Sequence, residues 1–365
     1  MYKLSKENTL EQELNLEERR PLAGEVRRLP LGEALFFSPK PIPSAKVTPG
    51  SLGESNQVLG INETYMDIGL ASHGKAFQVQ LVMSCILLML SVLISILLIG
   101  AYVSQSRHGG IAQAFIHGIT KDGLIGFIPI FVLFLIGWFV IIKTSLQKSQ
   151  RKPIRFNRQR REVCYFDDKN KSPTVVPWEN VVSWVVTHKG FTGEAFISDV
   201  TFGLALPDAE GEDYWMFKKP VGIMEEGQRS WEIIRCYMEE GPEYWATMAG
   251  DESRKTFDET RLQLKQDFRN GPKYLVHKAM SDPSKSYLGI IGYYLFNILS
   301  GWKLPYLVSE WDSKISMAKF PDEINKWSEP IPEHEWAKPS KELLKQKARA
   351  EAHYAAGGNL ATLKL

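Results

Sequence analysis

The sequence predicts an α+β membrane protein: a two-helix transmembrane hairpin followed by a small β-barrel or β-sandwich with a closing helix, and then a helical C-terminal region. Two long uncharged apolar runs predict the hairpin, and short alternating segments followed by an amphipathic stretch predict the β domain. The average composition conceals this arrangement. The 365 residues include 44 basic and 42 acidic side chains, which is ordinary for a globular protein and excludes a disordered chain or a disulfide scaffold.

The apolar runs cover residues 79–103 and 124–142. A bilayer core about 30 Å thick requires about 20 apolar residues of helix. We therefore predict transmembrane helices over 79–103 and 123–143, joined by an external loop over 104–122. Ser91 and Ser95, four residues apart in the first run, would permit close packing against another helix.

The orientation of the hairpin follows from the charges that flank it. Eight basic residues and no acidic residue lie between 143 and 161, whereas the loop 104–122 has only two basic residues. This basic collar comprises Lys143, Lys148, Arg151, Lys152, Arg155, Arg158, Arg160 and Arg161. The positive-inside rule places the collar in the cytoplasm, so both termini are expected there in a multi-pass protein. The collar either binds anionic lipid headgroups or serves only to set the topology.

The remaining segments are assigned from their composition and periodicity. Residues 154–240 contain six or seven short strand-like runs and end in an amphipathic helix over 224–240. The uncharged run 286–302 is short for a span and is interpreted as a helix that is either buried or docked at the membrane interface. The predicted boundaries are a mobile arm over 1–55, a membrane-proximal segment over 56–78, a basic stalk over 144–153, the β-rich domain over 154–240 and a helical or irregular region over 241–365.

The sequence contains no nucleotide-binding, zinc-protease or serine-hydrolase motif, and its seven histidines never fall at metal-ligand spacing. Three cysteines far apart indicate packed thiols rather than a disulfide framework. We therefore expect a non-enzymatic protein with no cofactor, no metal and no nucleic-acid partner. Four tryptophans are expected in the core of the β domain, namely Trp178, Trp184, Trp215 and Trp231. Three others are candidate interfacial aromatics, namely Trp138, Trp302 and Trp311.

One short motif resembles a feature of a known domain class. Residues 176–181 (VPWENV) resemble the "pWedI" element of bacterial pleckstrin-homology-like domains. That resemblance implies a small barrel closed by a C-terminal helix, often placed directly after a two-helix membrane hairpin. Residues 154–240 follow this order.

Three further stretches resemble an uncharacterised family of two-span proteins in Gram-negative bacteria, whose genes often lie among type VI secretion genes. These are residues 62–66 (NETYM), the IRFNRQRREVCYF stretch after the second span, and residues 301–305 (GWKLP). The resemblance implies a bacterial inner-membrane protein and supplies no catalytic residues.

The expected function is that of an immunity-type protein, which protects against a cognate type VI effector by binding it directly. The alternative is a membrane-tethered scaffold, or a lipid- or protein-binding module, of a secretion-associated system. The expected partners are the bilayer, a toxin and a second copy of the chain through the transmembrane helices.

Overall fold

The computed structural model describes residues 14, 16, 21–30, 32–37, 40–69, 74–149, 152–167, 172–191, 196–208, 213–250, 252–316 and 320–363. The chain forms two compact units. The β unit comprises residues 1–71, 152–250 and 319–365, and the helical unit comprises 72–151 and 251–318.

The β unit contains twelve described strands, most of them short. They are β1 (Val26–Leu29), β2 (Gly32–Phe36), β3 (Glu54–Ser55), β4 (Val58–Ile61), β5 (Tyr65–Ile68), β6 (Ile154–Asn157), β7 (Glu162–Phe166), β8 (Pro173–Pro177), β9 (Val182–Phe191), β10 (Phe196–Pro207), β11 (Tyr214–Val221) and β12 (Thr247–Met248). Two antiparallel five-stranded sheets have the orders β1-β2-β9-β10-β11 and β4-β5-β6-β7-β8, and β3 pairs with β12. Neither five-stranded sheet closes on itself. Of the two predicted alternatives, a barrel or a sandwich, the closed barrel is therefore not formed, and the unit contains two open sheets.

The largest apolar cluster of the described residues contains side chains from both five-stranded sheets and from the amphipathic helix α4 (Met224–Glu239). A second cluster, which includes Trp184, lies at the sheet that contains β1 and β2. Trp178, Trp184 and Trp231 are fully buried, as the sequence predicts for core tryptophans. The rings of Trp178 and Trp231 stack with centroids 5.6 Å apart. Trp215 is half-buried and stacks on Tyr165. The closing helix is therefore part of the β unit's core.

The N-terminal third of the chain differs from the expected boundaries. Residues 26–29 and 32–36, expected in a mobile arm, form β1 and β2, and β2 pairs with β9 so that Ala34 lies opposite Val186. Residues 58–61 and 65–68, expected in a membrane-proximal segment, form β4 and β5. β1 and β4 pair with these near neighbours, but β2 and β5 also pair with strands more than eighty residues away, which a local pattern does not reveal.

The C-terminal part also differs from the single region expected over 241–365. Residues 319–365 belong to the β unit, where they contribute α9 (Asp322–Trp327) and α10 (Lys341–Ala355). Residues 251–318 belong to the helical unit instead.

The helical unit contains the two apolar helices and the helices that pack around one end of them. Its helices are α1 (Lys75–His108), α2 (Ile111–Gly118), α3 (Leu124–Ser149), α5 (Arg254–Arg269), α6 (Pro272–Ser281), α7 (Tyr287–Leu299) and α8 (Leu304–Ser316), with a π-helical turn at Ile119–Gly123. Both α1 and α3 are long and apolar enough to cross a membrane. They extend beyond the predicted spans, and α3 includes residues 144–149 of the expected stalk.

The hairpin packs through glycines on α3. A Cβ atom at Gly137 would lie 2.8 Å from Val82 Cγ1, and one at Gly126 would lie 2.7 Å from Leu93 Cδ1. Each glycine therefore allows an α1 side chain to approach the α3 backbone closely. The hydroxyl groups of Ser91 and Ser95 are exposed and donate to carbonyls of their own helix. The close packing is thus made by residues other than the predicted serines.

Buried polar groups hold α8 to the first turn of α1. Lys75 Nζ lies 3.5 Å from Asp312 Oδ1, and both side chains are almost completely buried. The Glu252 carboxylate accepts hydrogen bonds from the backbone N–H groups of Gly74 and Ala76, at 2.9 and 3.0 Å. A carboxylate at a helix N-terminus satisfies free backbone donors and opposes the positive end of the helix dipole. These contacts fix the end of the hairpin within the helical unit.

Candidate binding groove in the helical hairpin

An apolar groove of about 520 Å³ lies between α1 and α3. It is lined by Ile86, Leu90, Phe127, Ile128, Ile130, Phe131 and Phe134. The groove lies between the two glycine contacts along the helices. On α1 its residues 86 and 90 lie between Val82 and Leu93, and on α3 its residues 127–134 lie between Gly126 and Gly137. The two helices touch at these contacts and leave room for side chains from another molecule between them.

The groove is built from residues at helical spacing. Phe127, Phe131 and Phe134 recur at intervals of four and three, which places them on one side of α3. The rings of Phe131 and Phe134 lie 6.4 Å apart, and Phe134 also contacts Trp138 edge-on at 6.2 Å. Ile128 and Phe131 are more than half exposed. An aromatic and aliphatic surface of this kind offers dispersion contacts and no hydrogen bond, so its chemistry suits an apolar partner.

The members of the basic collar that the structure describes have different surroundings. Arg151 lies outside the described residues, as does the side chain of Lys148, while Lys143 is exposed on α3 near the Phe139 ring. Lys152 lies 4.1 Å from the centre of the Phe166 ring. The four arginines contact other groups of the β unit.

Arg155 has the most complete set of contacts among these arginines. Its guanidinium donates to both oxygens of Asp67 at 2.7 and 2.8 Å and to Ser328 Oγ at 2.9 Å. The group lies between the rings of Tyr65 and Phe320, at 3.8 and 3.9 Å from their centres. Burial raises the pKa of Asp67, although Arg155 opposes this effect. Arg155 is buried and is therefore a structural residue rather than a lipid ligand.

The other three arginines also bind inside the β unit. Arg158 donates to the Glu240 carbonyl at 2.9 Å, and Arg160 donates to the Trp327 carbonyl at 2.9 Å. Arg161 forms an ion pair with Glu239, and Glu239 Oε1 also accepts from Trp178 Nε1 at 2.8 Å. These four arginines therefore have partners within the β unit, which a charge count does not reveal. Whether the collar as a whole binds lipid headgroups or only sets the topology stays a prediction.

The three candidate interfacial aromatics have different surroundings. Trp138 is half-buried on α3, beside Phe134. Trp302 packs edge-on against Phe257 at 5.1 Å and belongs to an aromatic cluster of the helical unit. Trp311 is 38 % exposed on α8. Trp302 is thus an internal packing residue, and Trp138 and Trp311 retain exposed surface.

A smaller cavity, about 240 Å³, occurs in the β unit beside Arg235, Glu240 and Tyr354. Its charged groups are already paired, because Glu240 Oε1 lies 2.8 Å from both Arg235 Nη1 and Lys347 Nζ. Burial raises the pKa of Glu240, but the hydrogen bonds from Lys347 and Arg235 outweigh burial, so its pKa lies below the ordinary value. This cluster connects α4 to α10 rather than presenting a free charge to a ligand.

Metal and thiol chemistry find little support in the described part of the chain. Among those residues, no group of three His, Cys, Asp or Glu side chains could hold a metal ion. The cysteines are free thiols, and burial raises the pKa of both Cys164 and Cys236 to about 12. Thiols with such pKa values stay protonated and react poorly.

Sequence reasoning did not find the groove. Its residues lie within runs that already predict membrane helices, and apolar residues on every side hide the face that forms a groove. The available signal was the pair of glycines, Gly126 and Gly137, in the second run.

Comparison with known proteins gives one match. The model of a family of unknown function, DUF6708, matches residues 131–273. The matched range extends from the middle of α3 through β6–β11 and α4 into the start of α6. No curated protein matches the chain, and no solved structure matches it. The pleckstrin-homology-like and type VI resemblances therefore stay predictions.

Proposed function

We propose that the chain is a non-enzymatic, integral inner-membrane protein of the immunity type, which neutralises a cognate type VI effector by binding it directly. The observation that supports this proposal is the groove of about 520 Å³ between α1 and α3. Its apolar and aromatic walls suit an apolar helix of a membrane-inserted effector. Neutralisation by occupancy needs no catalytic group, because a bound effector helix is unavailable for assembly.

Helix association inside a bilayer depends on close van der Waals contact, since lipid tails are as apolar as leucine. A groove that admits side chains supplies such contact on two sides. A buried aromatic residue at the centre of an interface contributes about 2 kcal/mol or more when it is truncated, which corresponds to a loss in affinity of about 30-fold. Phe131 is the natural residue to test, because it lines the groove and is not needed to fill the helical unit's interior.

The test compares two variants of the full chain, Phe131→Ala and Phe139→Ala. The two phenylalanines lie on the same helix and are 60 % and 63 % exposed, but only Phe131 lines the groove. A deletion strain carrying each variant is co-cultured with kin that carry an active or an inactivated type VI apparatus. Immunoblots of the membrane fraction check that the two variants accumulate equally.

We expect the deletion strain to be killed only by the active apparatus. Wild type and Phe139→Ala should restore its survival, and Phe131→Ala should not. Survival of the deletion strain without complementation would overturn the immunity function. Equal protection by both variants would overturn the assignment of the groove as the binding surface.

A further inference from the structure

Helix α7 has two faces with opposite surroundings. On one face, Ile290 packs with Leu264 of α5 and Leu275 of α6. On the other face an apolar stripe is exposed, with spacings of three, four and three residues: Leu288, Ile291, Leu295 and Ile298. Leu288 is 81 % exposed. No charged residue lies in α7, so the exposed stripe is apolar along the whole helix.

The neighbouring helix α6 enlarges this surface. Leu275 is buried against α7, while Val276 and Met280 are exposed, one helical turn apart. Met280 is 84 % exposed. Contiguous exposed apolar residues in this number mark a surface that is covered in the working protein.

The charges around the stripe indicate what covers it. Residues 162–365 contain 25 basic and 31 acidic side chains, a net charge of −6, but the segment 261–303 contains seven basic and two acidic side chains, a net charge of +5. Lys265, Arg269 and Lys273 are exposed at the end of α5 and the start of α6. Basic residues beside an apolar helix face are typical of proteins that bind an anionic membrane surface.

The length of α7 and the path of the chain exclude a third crossing. Thirteen residues of helix span about 20 Å, whereas the hydrocarbon core is about 30 Å thick. Residues 152–250 and 319–365 belong to one compact unit, so the segment between them must return to the side from which it left. That segment contains no helix of spanning length among its described residues.

A hydrogen bond places α7 beside the first membrane helix. Gln80 Nε2 donates to Asn297 Oδ1 at 3.0 Å, and both side chains are buried. Gln80 is the last residue of α1 with an amide or charged side chain before residues 81–103, and Leu81 is already exposed. The C-terminal end of α7 therefore lies where α1 enters the lipid, and the exposed stripe adjoins the lipid-facing surface of the hairpin.

We infer that the exposed face of α7, with Val276 and Met280 of α6, docks into the headgroup region of the leaflet that the hairpin enters, while Lys265, Arg269 and Lys273 contact anionic headgroups. The helical unit is thus held by an in-plane surface in addition to its two spans. The inference rests on insertion of the hairpin, which is part of the proposed function, but not on the binding of an effector.

The test measures the position of single spin labels on the full chain in nanodiscs of phosphatidylethanolamine and phosphatidylglycerol. In a Cys85→Ser background, Cys164 and Cys236 remain buried and one new cysteine is labelled. The labelled variants are Ile291→Cys on the exposed stripe, Val92→Cys as the reference in lipid and Lys255→Cys, at an exposed position outside the proposed contact surface, as the reference in water. Collision rates with oxygen and with a water-soluble nickel chelate are compared.

We expect the oxygen-to-nickel ratio at Ile291 to be several-fold higher than at Lys255 and lower than at Val92, which lies near the middle of the apolar run of α1. A ratio at Ile291 equal to that at Lys255 would overturn the inference, because the purified protein would then leave this face in water for a protein partner to cover. The Val92 label separates the two failures: a low ratio there means that the hairpin itself is not inserted.

A second measurement isolates the electrostatic part. The three lysine and arginine residues at 265, 269 and 273 are replaced by glutamate, and the control carries the same change in net charge in the β unit, at Lys338, Lys341 and Lys345, which are also exposed. We expect only the first triple variant to raise nickel accessibility at Ile291, several-fold. Equal effects of the two triple variants, or no effect of either, would refute the headgroup contacts.

Discussion

Removal of the Arg155 guanidinium is the most direct test of how the β unit is held together. Arg155→Met keeps most of the apolar stem but removes three hydrogen bonds, two of them to Asp67. It also removes the cation that lies between the rings of Tyr65 and Phe320. Asp67 is only 9 % exposed, so the variant leaves a buried carboxylate without its partner.

The expected loss is large. Breaking a buried ion pair by removing one partner costs about 3–5 kcal/mol, chiefly because the remaining charge stays desolvated. Loss of the two ring contacts adds to this, so we expect the free energy of unfolding of the β unit to fall by about 4 kcal/mol. A typical domain has about 5–15 kcal/mol in total. The variant should therefore unfold at a much lower denaturant concentration.

The loss should also depend on pH. Burial already raises the pKa of Asp67 above its ordinary value of 3.8, and Arg155 acts against that rise. Without Arg155 the pKa of Asp67 in the folded state should rise further. Between the unfolded-state pKa and the higher folded-state pKa of Asp67, the folded protein keeps a proton that the unfolded chain has released. The folded state therefore becomes less stable as pH increases through this range. The difference between Arg155→Met and wild type should therefore be smaller at about pH 5 than at about pH 8.

Urea unfolding of the full chain in detergent micelles, followed by tryptophan fluorescence, measures this effect. Seven of the ten tryptophans lie in the β unit, so the signal reports mainly on that unit. Lys338→Met, at an exposed position, is the control and should change stability by about 0.5 kcal/mol or less. The double variant with Asp67→Leu should recover at least half of the loss. A loss below about 1 kcal/mol, or one unaffected by Asp67→Leu, would refute the reasoning.

Two further predictions concern the acid response of the β unit and the packing of the hairpin. The pKa of Glu240 lies below its ordinary value of 4.5, because hydrogen bonds from Lys347 and Arg235 outweigh the effect of burial. The stabilisation that the Glu240 carboxylate contributes is therefore fully present above about pH 4.5 and is lost as pH falls through the lower, folded-state pKa. Glu240→Gln should flatten this acid limb in urea unfolding measured against pH, and an unchanged slope would contradict the assignment. Gly137→Leu should destabilise the hairpin by about 1–3 kcal/mol, because its Cβ would lie 2.8 Å from Val82 Cγ1. Gly100→Leu, at a position where a Cβ atom would meet nothing within 4 Å, should be tolerated. Thermal unfolding of the full-chain variants in detergent micelles measures both effects, and equal destabilisation by the two substitutions would contradict the packing.

The features that the sequence predicted well are those determined by local pattern. Uncharged apolar runs predicted helices long enough to cross a membrane, because length and composition suffice for that inference. A period of 3.6 residues predicted α4, and its buried Trp231 follows from that period. Strands β6 to β11 lie within the segment where alternating runs predicted strands.

The features that it missed depend on partners distant in the chain. Arg155 and Asp67 are 88 residues apart, so counting the charges of the collar could not show that its central member was already paired. β2 was expected in a mobile arm because one of its two neighbouring strands, β9, lies about 150 residues later in the chain. Predicting the groove would have required knowing how α3 is aligned along α1. The sequence does not show this alignment, because both helices are apolar on every side. Composition identifies such residues as apolar or charged, but only their tertiary partners assign a role.

The pairing of β5 with β6 constrains the membrane topology independently of charge. Tyr65 lies opposite Asn157 and Ile68 opposite Ile154, so the two strands that flank the hairpin are hydrogen-bonded neighbours in one sheet. A sheet cannot be divided by a bilayer, since each backbone group left unpaired in lipid would cost several kcal/mol. The chain that leaves β5 must therefore return to the same side before β6, which requires an even number of crossings. The two apolar helices satisfy this requirement together, and one crossing alone would break the sheet. Which side of the membrane the β unit occupies stays a prediction from the basic residues that follow α3.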